Sequence, residues 1–96
     1  MKFKIPETIK IINHHWEISN DQMVLDAVDA VGIIVPNNKI IYIDDTAPNM
    51  SEIFIHEVTH SILDALGKEE LNEDEEFVKP FAKCLHQVIQ QLEEEI

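Results

Sequence analysis

Glycine, cysteine and basic residues are all scarce in this 96-residue chain, and no apolar run approaches the ~20 residues a membrane-spanning helix needs. With only Gly32 and Gly67 present, there is no Gly/Ser-rich linker, and no internal repeat is found either. The single cysteine, Cys84, excludes an intrachain disulfide and fits a reducing compartment. The opening MKFKIPETIK lacks the apolar core of a signal peptide, so a cytoplasmic setting is expected. Seven basic residues stand against nineteen acidic ones, a net charge of −12. Such a surface repels nucleic-acid phosphates and anionic membranes, and neither is expected as a partner. Much of the acidity lies in KEELNEDEE and the final EEE. Solvated helix ends account for these clusters, and recruitment of a basic protein partner is the secondary reading.

What is present suffices for one folded unit. An apolar fraction of 45% is ordinary for a globular chain. At this length folding buries roughly 60–70% of the unfolded surface, so residues 1–96 are expected to form a single domain.

The first half reads as strands. In TIKIINHHWEIS, Ile12, His14, Trp16 and Ile18 fall on one face at a period of two, with Ile9 and Ile11 on the other. Residues 20–31 fit either a short helix or a loop. GIIV, PNN and KIIYID then read as a hairpin, with Asn37 and Asn38 tolerating positive φ at its turn. The second half reads as two helices. Asn49 and Glu52 resemble a capping box, and Gly67 suits the position just past a helix C-terminus. Between them Phe54, Val58, Ile62, Ala65 and Leu66 form an apolar stripe. A second cap, Asn72 with Glu75, opens a helix running to about Glu94, with a stripe of Phe77, Val78, Phe81, Leu85, Val88, Ile89 and Leu92. Pro80 removes one donor near its start and predicts a bend there. The expected architecture is α+β, a small antiparallel sheet packed on two helices.

The chemistry concentrates in FIHEVTHSILDALG, residues 54–67. At 100° per residue, His56 and His60 lie on nearly the opposite side from the apolar stripe, so core packing does not explain them. Two imidazoles at i and i+4 can share one zinc ion at ~2.0–2.1 Å. Glu57 projects from an adjacent line, where it can deprotonate a water on the metal without being a ligand. This is the division of labour in the H-E-x-x-H motif. Five His and twelve Glu in the chain give roughly 0.03 such matches by chance, so the motif outweighs a reading of solvent-exposed histidines. A third ligand must come from another element, and acidic residues gather at the start of the second helix. Glu73, Asp74, Glu75 and Glu76 are all candidates. Glu75 borders the apolar stripe at i+3 and i+7, and Glu76, turned further outward, comes next.

This pattern resembles the small zincin domains of the ImmA/IrrE-like metallopeptidase family, found in phage and mobile-element proteins. In that family a helix patterned E-x-x-A-x-x-F-A-x-x-L follows the motif, and its glutamate is the third zinc ligand. Glu75, Val78, Phe81, Ala82 and Leu85 match it, with Val in place of the first Ala. The resemblance covers residues 30–92 and implies a minimal zincin with His56, His60 and Glu75 on zinc and Glu57 as the base. It also implies that KIIYID is the edge strand along the cleft. The family's L-M-P ending after the second helix is missing, and no separate DNA-binding or sensor domain is read in these residues. The expected function is therefore a zinc-dependent peptidase-like hydrolase acting on a protein or peptide. The competing expectation is a non-enzymatic, phage-type interaction module that keeps the scaffold and metal site.

Smaller expectations complete the reading. Asp64 could orient His60, although a solvated aspartate is the simpler account. His14 and His15 point to opposite strand faces and cannot share a site. His86 is expected at the surface, Cys84 among buried hydrophobes, Trp16 in the core and Tyr42 packed in its strand.

Overall fold

The computed structural model describes residues 5–95, with side chains through residue 92. Two strands, β1 (Thr8–Ile11) and β2 (His14–Ser19), open the fold as an antiparallel hairpin. TIKIINHHWEIS is thus not one strand. Ile12 takes a φ of 48° and turns the chain. The turn places Ile9 opposite Trp16 and Ile11 opposite His14, so Ile9, Ile11 and Trp16 share a face. Ile11 and Trp16 are buried there, while Ile12 is exposed.

The ambiguous segment resolves as a short helix, α1 (Gln22–Ala27), whose N-terminus is capped by Asp21 accepting from the Met23 N–H. Strands β3 (Gly32–Val35) and β4 (Ile40–Ile43) form the expected hairpin, but its positive φ falls on Lys39, not on Asn37 or Asn38. The sheet order is β1-β2-β4-β3. Because β4 lies parallel to β2, the sheet is mostly but not wholly antiparallel, with α1 and β3 filling the crossover. KIIYID therefore runs through the middle of the sheet, whose edge strands are β1 and β3, with β3 the edge that packs beside α2.

Helix α2 (Met50–Ala65) lies between the sheet and the long helix α4 (Glu75–Glu95). Asn49 sits at its N-cap without making a side-chain bond, so no capping box forms. Its C-terminus is as expected: Gly67 takes a φ of 70°, its N–H donates to Asp64 O, and the Lys68 N–H donates to Leu63 O. Being sandwiched, α2 buries more than one stripe. Ile53, Phe54, Ile55, Val58 and Leu63 are buried, whereas Ile62 and Leu66 of the expected stripe are exposed beyond the sheet. Thr59 and Ser61 are buried too, each hydroxyl donating to the carbonyl four residues back, Ile55 O at 2.8 Å and Glu57 O at 2.9 Å.

A five-residue helix, α3 (Glu69–Glu73), intervenes before α4. The cap of α4 is consequently Asp74, whose carboxylate accepts from the Glu76 N–H, and not Asn72. Val78, Ala82 and His86 form the buried face of α4, while Phe81, Cys84, Val88 and Leu92 are exposed. Two expectations are corrected here. Cys84 points away from the core, and His86 is buried against α2, where its Nε2 meets Ser51 Oγ at 2.9 Å. Among the described residues, no helix is long and apolar enough to cross a membrane.

Candidate metal centre

One helical turn separates His56 from His60 on α2, and their rings meet edge to face with centroids 4.9 Å apart. The reversal through Gly67 and α3 returns the chain so that α4 starts beside this pair. Glu75, its first residue, places Oε1 2.9 Å from His60 Nε2 and 3.6 Å from His56 Nε2. These three side chains form a group that could hold a metal ion, with ligand atoms within 4.8 Å of one another. Glu76 stands outside that group among the described residues, exposed on the first turn of α4.

The donor set fits a divalent cation. With bond lengths of ~2.0–2.1 Å, neighbouring ligand atoms of a tetrahedral zinc site lie about 3.3 Å apart. The two nitrogen–oxygen separations bracket that value. His60 supplies a second indication. Its Nδ1 lies 2.5 Å from Asn72 Oδ1, and its Nε2 faces Glu75 Oε1. Both partners are acceptors, and a neutral imidazole has one N–H to give. If Nδ1–H donates to Asn72, a lone pair on Nε2 points at a carboxylate oxygen. Only a second proton or a cation between them relieves that contact. With its Nδ1–H given to Asn72, His60 would keep Nε2 free to serve as a ligand.

Glu57 behaves differently from its neighbours. It is 8% exposed, and its carboxylate makes no hydrogen bond among the described residues. Burial pushes its pKa up to about 7, opposed by the nearby His60 and assisted by Glu75. A carboxyl group titrating there can take and return a proton near neutrality. Burial also holds the His56 imidazole below its usual value, with Glu75 pulling it back up and His60 pushing it further down. The close packing that buries Glu57 depends on Gly32. A Cβ at that position would lie 2.7 Å from Ile53 Cγ2 and 3.0 Å from Glu57 Oε2. Glycine lets β3 press against α2 and keeps the Glu57 carboxylate beside the strand edge.

The resulting cleft holds about 500 Å³. Its floor is His56, Glu57 and His60; β3 forms one wall with Ile33 and Ile34, and α3 with the start of α4 forms the other. Among the described residues, strand β3 pairs only with β4, and Gly32, Ile33 and Ile34 of this edge strand line the cleft.

His56, Glu57, His60 and Glu75 thus lie together as the sequence suggests. Two contributors escaped the sequence reading. Asn72 looks like a helix cap, and only the displacement of the cap to Asp74 frees its side chain for His60. Gly32, isolated at the start of a strand pattern, carried a legible sign of close backbone approach. Asp64 lines the cleft but makes no bond to His60, the role falling to Asn72. His14, His15 and Tyr42 lie outside the cleft lining. Comparison of the chain with family models, with curated proteins and with solved structures returns no match, so the geometry alone carries the functional argument.

Proposed function

We infer that the protein is a zinc-dependent, peptidase-like hydrolase acting on a protein or peptide, similar in its site to the ImmA/IrrE-like zincins. The observation that carries this reading is the convergence of His56, His60 and Glu75 beside a buried carboxylate, Glu57, that has no structural partner. A structural zinc would call for a fourth protein ligand, whereas three ligands with an open position for water, beside a free carboxylate, suit a catalytic one. Zinc in this position would polarise a peptide carbonyl and acidify a water. His56, His60 and Glu75 supply the ligands, and Asn72 holds His60 in the required tautomer. Glu57, beside the three ligands but not one of them, would accept the water's proton and return it to the leaving amine. Strand β3 offers an open edge along which an extended chain can lie. The exposed lone thiol of Cys84 supports a reducing, cytoplasmic setting.

Elemental analysis of purified protein should give one zinc per chain. Glu57→Gln should keep the zinc and abolish peptide hydrolysis. Glu75→Ala should weaken zinc binding at least tenfold, about 1.4 kcal/mol, while Glu76→Ala leaves it nearly unchanged. Equal zinc loss in the Glu57 and Glu75 variants would move Glu57 into the ligand set and end the assignment. The exposed apolar residues Phe81, Val88 and Leu92 on α4 favour a second reading, a protein-interaction module on the same scaffold. Zinc binding without hydrolysis of any peptide would select it.

A further inference from the structure

The cleft contains more negative charge than a metal site requires. Beyond the proposed ligands and Glu57, it is lined by Asp64 of α2 and by Glu69 and Glu73 of α3, and, among the described residues, by no lysine. Lys79 acts on His56 from further along α4 but does not form part of the lining. Among the described residues, none of these three carboxylates has a hydrogen bond or ion pair of its own. Helix α3 makes the arrangement harder to explain structurally. It buries no residue, so the core does not demand its sequence. Glu69 and Glu73 stand at i and i+4, a like-charge spacing that weakens a helix. A five-residue helix is a poor place to tolerate that repulsion unless something offsets it. A second sign, separate from these three carboxylates though shared with the hydrolase reading, is Glu57, 8% exposed, its carboxylate without a hydrogen bond among the described residues and lining the same cleft. A cleft with an unbonded buried carboxylate at its floor and unpaired carboxylates on its wall is built for a ligand that brings positive charge.

We propose that the cleft selects an extended peptide with a basic side chain, Lys or Arg, seated against Asp64, Glu69 and Glu73. Ile33 and Ile34 on the opposite wall accept apolar neighbours of that residue, giving a preference for a basic residue flanked by aliphatic ones. This specificity rests on the peptidase-like reading for its biological sense, but it is measurable as binding alone.

The experiment uses Glu57→Gln protein, with and without added zinc chloride, and two fluorescein-labelled decapeptides. The peptides share aliphatic flanks and differ at one central position, Lys or Glu. Fluorescence anisotropy should show the Lys peptide binding at least tenfold tighter, with the difference shrinking in 0.5 M salt as exposed charges are screened. A Glu69→Gln, Glu73→Gln, Asp64→Asn triple variant in the same background should bring the two affinities within threefold. Circular dichroism checks that this variant is folded. Equal affinity for the two peptides, binding of neither, or a Lys preference that survives the triple variant overturns the proposal. Failure of the hydrolase reading looks different. The wild-type protein would then hold no zinc or cleave neither peptide, while the Lys preference of the Gln variant persisted.

Discussion

Helices α2 and α4 both carry regular apolar spacing, yet they meet their surroundings in opposite ways. Helix α2 is wedged between the sheet and α4, and its first three turns are buried almost all round, polar residues included. Helix α4 touches the fold along one narrow face, and three of the seven residues of its apolar stripe, Phe81, Val88 and Leu92, remain in solvent. Periodicity reports which residues a helix can bury, whereas the number of neighbouring elements decides how many it does bury. The functional consequence lies on α2. A helix covered on two sides can hold a carboxylate such as Glu57 out of water, and burial then moves its pKa toward neutrality. A helix covered on one side, such as α4, presents instead an exposed carboxylate, Glu75, at its first turn, in a group that could hold a metal ion.

The largest test of this contrast is in the core. Phe54, 3% exposed in the middle of α2, should cost about 3–5 kcal/mol when truncated to alanine, measured by urea unfolding. A loss below 1 kcal/mol would mean that α2 is not wedged as described.

Next comes the buried carboxylate in metal-free protein. The folded-state pKa of Glu57 is raised from 4.5 to about 7. Its protonated form therefore contributes stability that is full below about 4.5 and disappears as pH rises through about 7. His56, whose value is lowered, works the other way, gaining stability as pH rises. Comparison with Glu57→Gln isolates the carboxylate. The stability of the variant relative to wild type should grow by about 2–3 kcal/mol between pH 5 and pH 8. A pH-independent gap would show that Glu57 is hydrated rather than buried.

The contact between the two helices gives a smaller effect. Ser51→Ala removes the partner of His86 Nε2 at the α2–α4 interface and should cost about 1–2 kcal/mol. The smallest effect belongs to the outer stripe. Leu92, 60% exposed on α4, should tolerate serine within about 0.5 kcal/mol in the isolated protein. A substantially larger loss would indicate that a second molecule covers the stripe in solution.

Much of this arrangement was legible from local rules. The hairpin around residues 32–43, the α2 stop at Gly67, and the α+β class follow from alternation, turn residues and a glycine at positive φ. The i, i+4 spacing of His56 and His60 puts both imidazoles on one side of a helix whatever the rest of the chain does. Errors arose wherever a side chain's fate depended on a partner distant in sequence. Local sequence predicts a surface His86, because nothing near it in the chain shows that Ser51 lies across the interface. Sharing a face with Phe77, Phe81 and Val88 predicts a buried Cys84, but Phe81 and Val88 are themselves exposed and Cys84 is exposed with them.

The sequence by itself determined the chemical content of the site: two imidazoles and a carboxylate one turn apart on a helix, with acids at the start of the next. Helical geometry makes those relations local, so 3.6 residues per turn suffices to predict them. Only the tertiary structure decided which acid faces the histidines, since that depends on how α3 redirects the chain and moves the cap to Asp74. It alone decided that Asn72 meets His60, that Gly32 brings β3 against Glu57, and that the sheet edge beside α2 is β3 rather than β4. Each of these is a close approach between elements far apart in sequence, and long-range packing, not local periodicity, sets such distances.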